Sequence, residues 1–134
     1  MRADSISAPE GATTFTNDDA AIIAAWDRMI AAYATYDNLA EHTGEGAYSP
    51  EEQAQWDIID AAELVIYNAV ASTPRGAELQ LWAAVNNTLT ERDACAAALR
   101  QDLAWFDANG EGLDWTERNL ISVLRSLRAI GGAA

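Results

Sequence analysis

Two prolines, each standing directly after a hydroxyl side chain, divide this chain more sharply than any other feature. Ser49-Pro50-Glu51-Glu52 supplies a capping Ser, a Pro at the first helical position and a Glu three residues after the cap, which together satisfy the free amides of a helix start. Ser72-Thr73-Pro74 repeats the device, because Pro74 cannot continue an arriving helix but is preorganised to open one, with Thr73 as its cap. Asp114 followed three residues later by Glu117 makes a third start. Helices are therefore expected over 51–70, from residue 74, and from residue 114 to the Gly131-Gly132 pair.

Periodicity fills in the rest. Ile22, Trp26, Met29, Ile30 and Tyr33 recur on one face, so a first helix is expected from a cap at Thr16 or Asn17 to about Leu39. Asp18 and Asp19 suit its positive end. Residues 41–48, rich in Gly and polar side chains, read as a loop. Leu79, Leu81, Trp82, Val85 and Leu89 share a face, but Cys95, Leu99, Leu103 and Phe106 centre about 70° away at 100° per residue. A break near 88–90 follows, with Thr90 capping a fourth helix that ends at Asn109-Gly110. Leu120, Val123, Leu124, Leu127 and Ile130 are the apolar face of the fifth. No strand pattern competes. The expected fold is all-α, a compact bundle of four to five helices, with residues 1–16 as a flexible N-terminal arm and 17–134 as a single helical-bundle domain.

The charge is unevenly spread. Residues 1–63 carry 13 acids against two Arg, net −11, whereas residues 64–134 carry eight against six, net −2, and there is no Lys. Such a field repels nucleic acid and anionic membranes and attracts basic surfaces. Half of the residues are hydrophobic, with five Trp, which argues against disorder despite the charge. The one cysteine, Cys95, excludes an internal disulfide and favours a reducing cytoplasm. No window approaches the ~18 apolar residues of a membrane helix, and the first ten residues lack the apolar core of a signal peptide.

Motifs for catalysis are missing, so no enzyme and no catalytic residue are expected. The single His, His42, lies far in sequence from Cys95, and spacing proposes neither a nucleophile pair nor a zinc set. The Gly44-Glu45-Gly46 and Gly110-Glu111-Gly112 stretches lack the Lys-Ser/Thr ending of a phosphate loop. Residues 106–117 resemble an EF-hand calcium loop: Asp107, Asn109 and Glu111 match its first three ligand positions and Gly112 its turn glycine. Glu117 falls one residue early, leaving Arg118 at the twelfth position. A C-cap at Asn109-Gly110 and an N-cap at Asp114 account for the same letters, so no metal and no cofactor are expected. A calcium-binding module remains the alternative.

The second helix carries the candidate site. Ile58, Ile59, Ala62, Val65, Ile66 and Ala69 fill one side of its wheel, the expected core face. On the other side Trp56, Asp60, Glu63 and Tyr67 follow one another, with Asp57 alongside. Aromatics supply contact area and carboxylates accept Arg or Lys, so these five residues form the expected partner-binding face; packing of Trp56 and Tyr67 against a neighbouring helix is the structural alternative. Asp57, Asp60 and Glu63 rise about 4.5 Å per step, near the ~3.4 Å spacing of phosphates along a DNA strand. Arg118 and Arg125 read as a solvated surface opposite the last helix's apolar face.

The residues Trp56-Asp57, Asp60-Ala61-Ala62-Glu63, Thr73-Pro74-Arg75-Gly76, Leu113-Asp114-Trp115 and Leu124-Arg125-Ser126-Leu127-Arg128 give the chain a pattern that resembles small uncharacterised helical proteins of alpha-proteobacteria and their mobile elements. The resemblance spans most of the chain and carries no catalytic residue. It implies a context in which small acidic proteins often inhibit host defence, as anti-CRISPR proteins do, by occupying a basic nucleic-acid groove. The expectation is thus an acidic, cytoplasmic protein-binding module whose partner has a basic surface, with no direct nucleic-acid or membrane contact. A non-catalytic homo-oligomeric scaffold is the further alternative.

Overall fold

Residues 10–39 and 47–133 are described by the computed structural model of the chain. Among them are six α-helices: α1 (Glu10–Asp37), α2 (Pro50–Asn68), α3 (Pro74–Thr88), α4 (Arg92–Leu99), α5 (Leu103–Asn109) and α6 (Trp115–Ala133), with one 3₁₀ turn at Gly110–Gly112 and no strand. The all-α class stands, with one helix more than the upper expectation. α1 pairs with α2, α6 pairs with α3, and α3 also touches α1, α2 and α4. The shared core is built from Ile22, Trp26 and Met29 of α1, Ile59 and Ile66 of α2, Leu79, Trp82 and Val85 of α3, Phe106 of α5, and Ile121 and Leu124 of α6. Small residues Ala94, Ala97 and Ala98 let α4 approach closely.

The punctuation acts as its chemistry requires. Ser49 Oγ accepts from Glu52 N at 3.1 Å while Glu52 Oε1 accepts from Ser49 N at 2.8 Å. Asp114 and Glu117 exchange the same pair of bonds at 2.7 and 3.0 Å. Thr73 caps α3 by accepting from Gly76 N at 3.2 Å. Its hydroxyl also donates to Asp19, which accepts from Ser72 N at 2.6 Å and Ser72 Oγ at 3.2 Å. The N-terminal part of α1 is thereby clasped to the start of α3. Burial of Asp19 opposes its charge, but the bonds from Thr73 and Ser72 outweigh this and hold its carboxyl below the usual 3.8. At the other end of α2, Gln80 Nε2 donates to the carbonyls of Ile66 and Ala69 at 3.0 and 2.9 Å, supplying partners that the last helical turn lacks.

Three expectations about boundaries are corrected. Thr16 and Asn17 do not cap α1, which is already underway at Glu10. Once α1 has nucleated on its apolar face, propagating it backwards costs little, so residues 10–16 of the expected arm are helical. Residues 1–9 of that arm, and residues 41–46 of the expected loop with His42, lie outside the described residues. The fourth expected helix is two. α4 is capped by Glu91, not Thr90, through a 2.8 Å bond from Ala94 N. It ends because Gln101 adopts φ 60°, allowing Asp102 N to bond Ala97 O and Gln101 N to bond Ala98 O, both at 3.0 Å, as in a Schellman cap.

A non-glycine residue costs about 1 kcal/mol or more in that conformation, and two arginine side chains hold it there. Arg75 Nη1 donates to Gln101 Oε1 at 2.6 Å and Arg128 Nη2 to Gln101 O at 3.1 Å. Both arginines also meet buried Glu78, Arg128 at 2.8 Å and Arg75 at 3.5 Å, while Trp82 Nε1 donates to the same carboxylate at 3.1 Å. Asp102 then caps α5 by accepting from Trp105 N at 3.0 Å.

α2 is rolled relative to expectation. Ile59, Ala62 and Ile66 are buried, but Ile58 and Val65 are exposed, and the buried side is centred about 40° toward Trp56. The physical reason is Trp56 itself. Its indole meets Tyr33 at 5.9 Å, Tyr36 at 5.3 Å and Tyr48 at 5.9 Å between ring centroids, and an aromatic cluster of this size withdraws more apolar surface than two aliphatic side chains.

A candidate protein-docking groove

The roll of α2 sorts the five expected binding residues into different surroundings. Trp56 is half-buried in the aromatic cluster, and its indole Nε1 is buried with no hydrogen-bond partner among the described residues. That is the packing alternative. Asp57 is exposed on the outer side and accepts from Gln53 Nε2 at 2.9 Å. Asp60, Glu63 and Tyr67 line a groove of about 600 Å³ between α2 and α3, together with Leu64, Gln80, Ala84 and Asn87. α2 and α3 run antiparallel here, placing Glu63 against Asn87 and the Ile66 carbonyl against Gln80 Nε2.

Within the groove the surfaces differ in availability. Tyr67 is 82% exposed and Leu64 60% exposed. Asp60 is exposed, and neither it nor Asp57 has an arginine partner among the described residues. Glu63 is half-buried; burial pushes its carboxyl above the usual 4.5, Asp60 adds to this, and a hydrogen bond from Asn87 opposes it. The Glu63–Asn87 pair also borders a second cavity of about 470 Å³, lined on the far side by Tyr33, Trp56, Arg92 and Cys95. Cys95 donates to Leu89 O at 3.6 Å, and burial together with Glu91 pushes its thiol up, the opposite of an activated nucleophile.

The acids of α2 step around the helix. Residues three apart turn by 60° at each step, so Asp57 faces outward, Asp60 the groove rim and Glu63 the interior. Their 4.5 Å rise does not make a straight ladder. Leu64 was not among the expected residues, although it sits four after Asp60 and three before Tyr67, the spacing of one helical face. The α3 wall carried no signal in sequence, since only packing decides which helix faces α2.

The other end of the molecule uses its charges internally. Arg125 pairs with Asp107, Arg100 with Asp102, and Arg75 and Arg128 with Glu78. Arg118 Nε donates to Leu113 O at 3.1 Å and its Nη2 to Glu111 O at 3.5 Å. Arg118 and Arg125 are therefore not simply solvated; they tie the 107–113 segment to α6. The letters that resemble a calcium loop have other tasks here: Asp107 takes Arg125, the Asn109 amide donates to Trp105 O at 2.8 Å, and Asp114 and Glu117 cap α6. Among the described residues no cluster of three or more His, Cys, Asp or Glu could hold a metal, and no helix is long and apolar enough to cross a membrane. Compared with family models, curated proteins and solved structures, the chain matches none.

Proposed function

We propose that this protein is a non-catalytic binding module whose α2–α3 groove receives a partner with a basic surface. One observation carries the reading: exposed Leu64 and Tyr67 stand beside Asp60, an acid with no arginine partner among the described residues, while five arginines of the C-terminal half are engaged by that half's own acids and carbonyls. An apolar anchor enters between Leu64 and Tyr67, and an Arg or Lys beside it meets Asp60. Aromatic contact area with a flanking charge-assisted pair is how protein hot spots are built.

The finer form of the proposal is an inhibitor from a mobile element that covers the nucleic-acid-binding surface of a host system, as an anti-CRISPR protein does. The negative field of the N-terminal half supports it, since it accelerates encounter with a basic groove. Phosphate-ladder mimicry does not, because Glu63 turns inward.

The test uses a synthetic helical peptide with a Leu-rich face flanked by Arg, titrated into isotopically labelled protein. Amide shifts are expected to cluster at Asp60, Leu64, Tyr67, Ala84 and Asn87, with association slowing as salt shortens the ~10 Å screening length. Asp57→Arg with Asp60→Arg should weaken binding about tenfold or more, without loss of helical circular dichroism. Shifts centred on α6, or rates indifferent to salt and charge reversal, overturn the proposal.

A further inference from the structure

The C-terminal half commits its arginines to the fold, with one exception. Arg75, Arg100, Arg118, Arg125 and Arg128 are bonded to acids or carbonyls of that half. Arg92, exposed in the first turn of α4, has no acid partner among the described residues. It lines the cavity of about 470 Å³ behind the Glu63–Asn87 pair. α4 packs on α3 and α5, and where it passes α1 and α2 this space is bordered by residues of α1, α2, α3 and α4. Its volume falls within the roughly 300–1,000 Å³ of small-molecule sites.

The other lining groups decide what chemistry suits it. Asp37, near the end of α1, is exposed and has no arginine partner among the described residues. Glu63 accepts from the Asn87 side chain. The Tyr33 oxygen accepts from Asn86 Nδ2 at 3.3 Å, and its own O–H meets no acceptor among the described residues. The half-buried rings of Tyr33 and Trp56, with Leu99 of α4, give the space apolar walls. A purely anionic ligand would meet Asp37 and Glu63 in a chain of net charge −13. A purely cationic one would leave Arg92 unpaired and repelling it. A zwitterion avoids both conflicts: its carboxylate pairs with Arg92, its ammonium with Asp37, and a flat apolar body lies against the rings.

We propose that this cavity binds a small zwitterion with a flat apolar side chain, the chemistry of an aromatic α-amino acid, with Arg92 taking the carboxylate and Asp37 the ammonium. Leu64 and Tyr67 take no part, so the site stands or falls separately from the α2–α3 groove. Titrating L-phenylalanine into isotopically labelled protein tests it, beside 3-phenylpropionate, which lacks the ammonium, and 2-phenylethylamine, which lacks the carboxylate. L-phenylalanine should give saturable amide shifts at Asp37, Arg92, Cys95 and Leu99, and each analogue should bind about tenfold more weakly or worse. Arg92→Gln and Asp37→Asn should each weaken L-phenylalanine binding about tenfold. Neither should change the melting of the protein without ligand, because both side chains are exposed and neither belongs to an ion pair among the described residues. Asp57→Asn, outside the cavity, should bind like the parent. Absence of saturation by about 10 mM L-phenylalanine, where binding would be weaker than about −3 kcal/mol, overturns the proposal. So do shifts centred on Leu64 and Tyr67, an analogue that binds as tightly as L-phenylalanine, or Arg92→Gln and Asp37→Asn variants that bind like the parent.

Discussion

A single methyl group should report whether the clasp between α1 and α3 holds the N-terminal half in place. A Cβ added at Gly76 would lie 2.8 Å from Asp19 Oδ2 and 3.0 Å from Oδ1, closer than van der Waals contact allows, and the carboxylate cannot swing aside without leaving Ser72 and Thr73. Two terms oppose each other in Gly76→Ala. Replacing Gly by Ala in a helix ordinarily stabilises by up to about 1 kcal/mol. Hydrogen bonds to a charged group are worth about 1.5–3 kcal/mol each; Asp19 accepts three of them while 8% exposed. Ser72 and Thr73 are exposed and regain water in part, so the loss is nearer one or two bonds than three. The expected net effect is destabilisation by about 2 kcal/mol. In an Asp19→Ala background the clash is gone, and the same substitution should be neutral or stabilise by up to about 1 kcal/mol. Urea melts of the parent, both single variants and the double variant, followed by far-ultraviolet circular dichroism, give a coupling of about 2–3 kcal/mol with unchanged m values. Equal destabilisation by Gly76→Ala in both backgrounds, or stabilisation in the parent, refutes the clasp.

Trp56→Ala should cost about 2–4 kcal/mol, since it removes the ring that Tyr33, Tyr36 and Tyr48 surround, whereas Tyr67→Ala should stay within about 0.5 kcal/mol; the same denaturant melts compare them, and a cheap Trp56→Ala would return that residue to the binding face. Acidity should act oppositely through two carboxyls. Asp19, held below 3.8, contributes stability above that pH and loses it as pH falls through its folded value; Glu63, raised above 4.5, favours the folded state below 4.5 and ceases to as pH rises through its folded value. At neutral pH Glu63→Gln should therefore be more stable than the parent and Asp19→Asn less stable, with both differences shrinking toward acid as the parent carboxyls protonate; the opposite signs at neutral pH contradict the assignment. Millimolar calcium should leave the melting temperature unchanged, because Asp107, Asn109, Asp114 and Glu117 are occupied within the protein; a calcium shift abolished by Asp107→Ala would revive the metal site.

What was legible in the sequence was local chemistry. Ser49-Pro50, Thr73-Pro74 and Asp114 start helices because their side chains reach amides only three residues away, and such contacts do not depend on the fold. The break at Gln101 was not legible. A left-handed Gln has no compositional mark, and the partners that hold it, Arg75 and Arg128, lie 26 and 27 residues away. The roll of α2 was half-legible. The wheel separates apolar from polar correctly, but an amphipathic tryptophan belongs to either side, and only the tyrosines of α1 and Tyr48 decide that Trp56 turns in. Asp60, Leu64 and Tyr67 remained outward because nothing in α3 reaches over them, and that is a property of two helices rather than one.

The distribution of partners gives the uneven charge a structural meaning. In the C-terminal half acids that meet an arginine do so for the fold: Glu78 steadies the turn at Gln101 through Arg128, and Asp107 ties α5 to α6 through Arg125. In α2 the cap and the buried face hold the helix, Asp57 accepts from Gln53 one turn earlier, and Asp60 meets no arginine among the described residues in a chain of net charge −13. Uncompensated like charge destabilises a compact state. Asp60, which sits next to exposed Leu64 and Tyr67, is therefore a residue whose presence folding does not explain. The proposed binding role would account for it, since natural proteins give up stability at the sites they use.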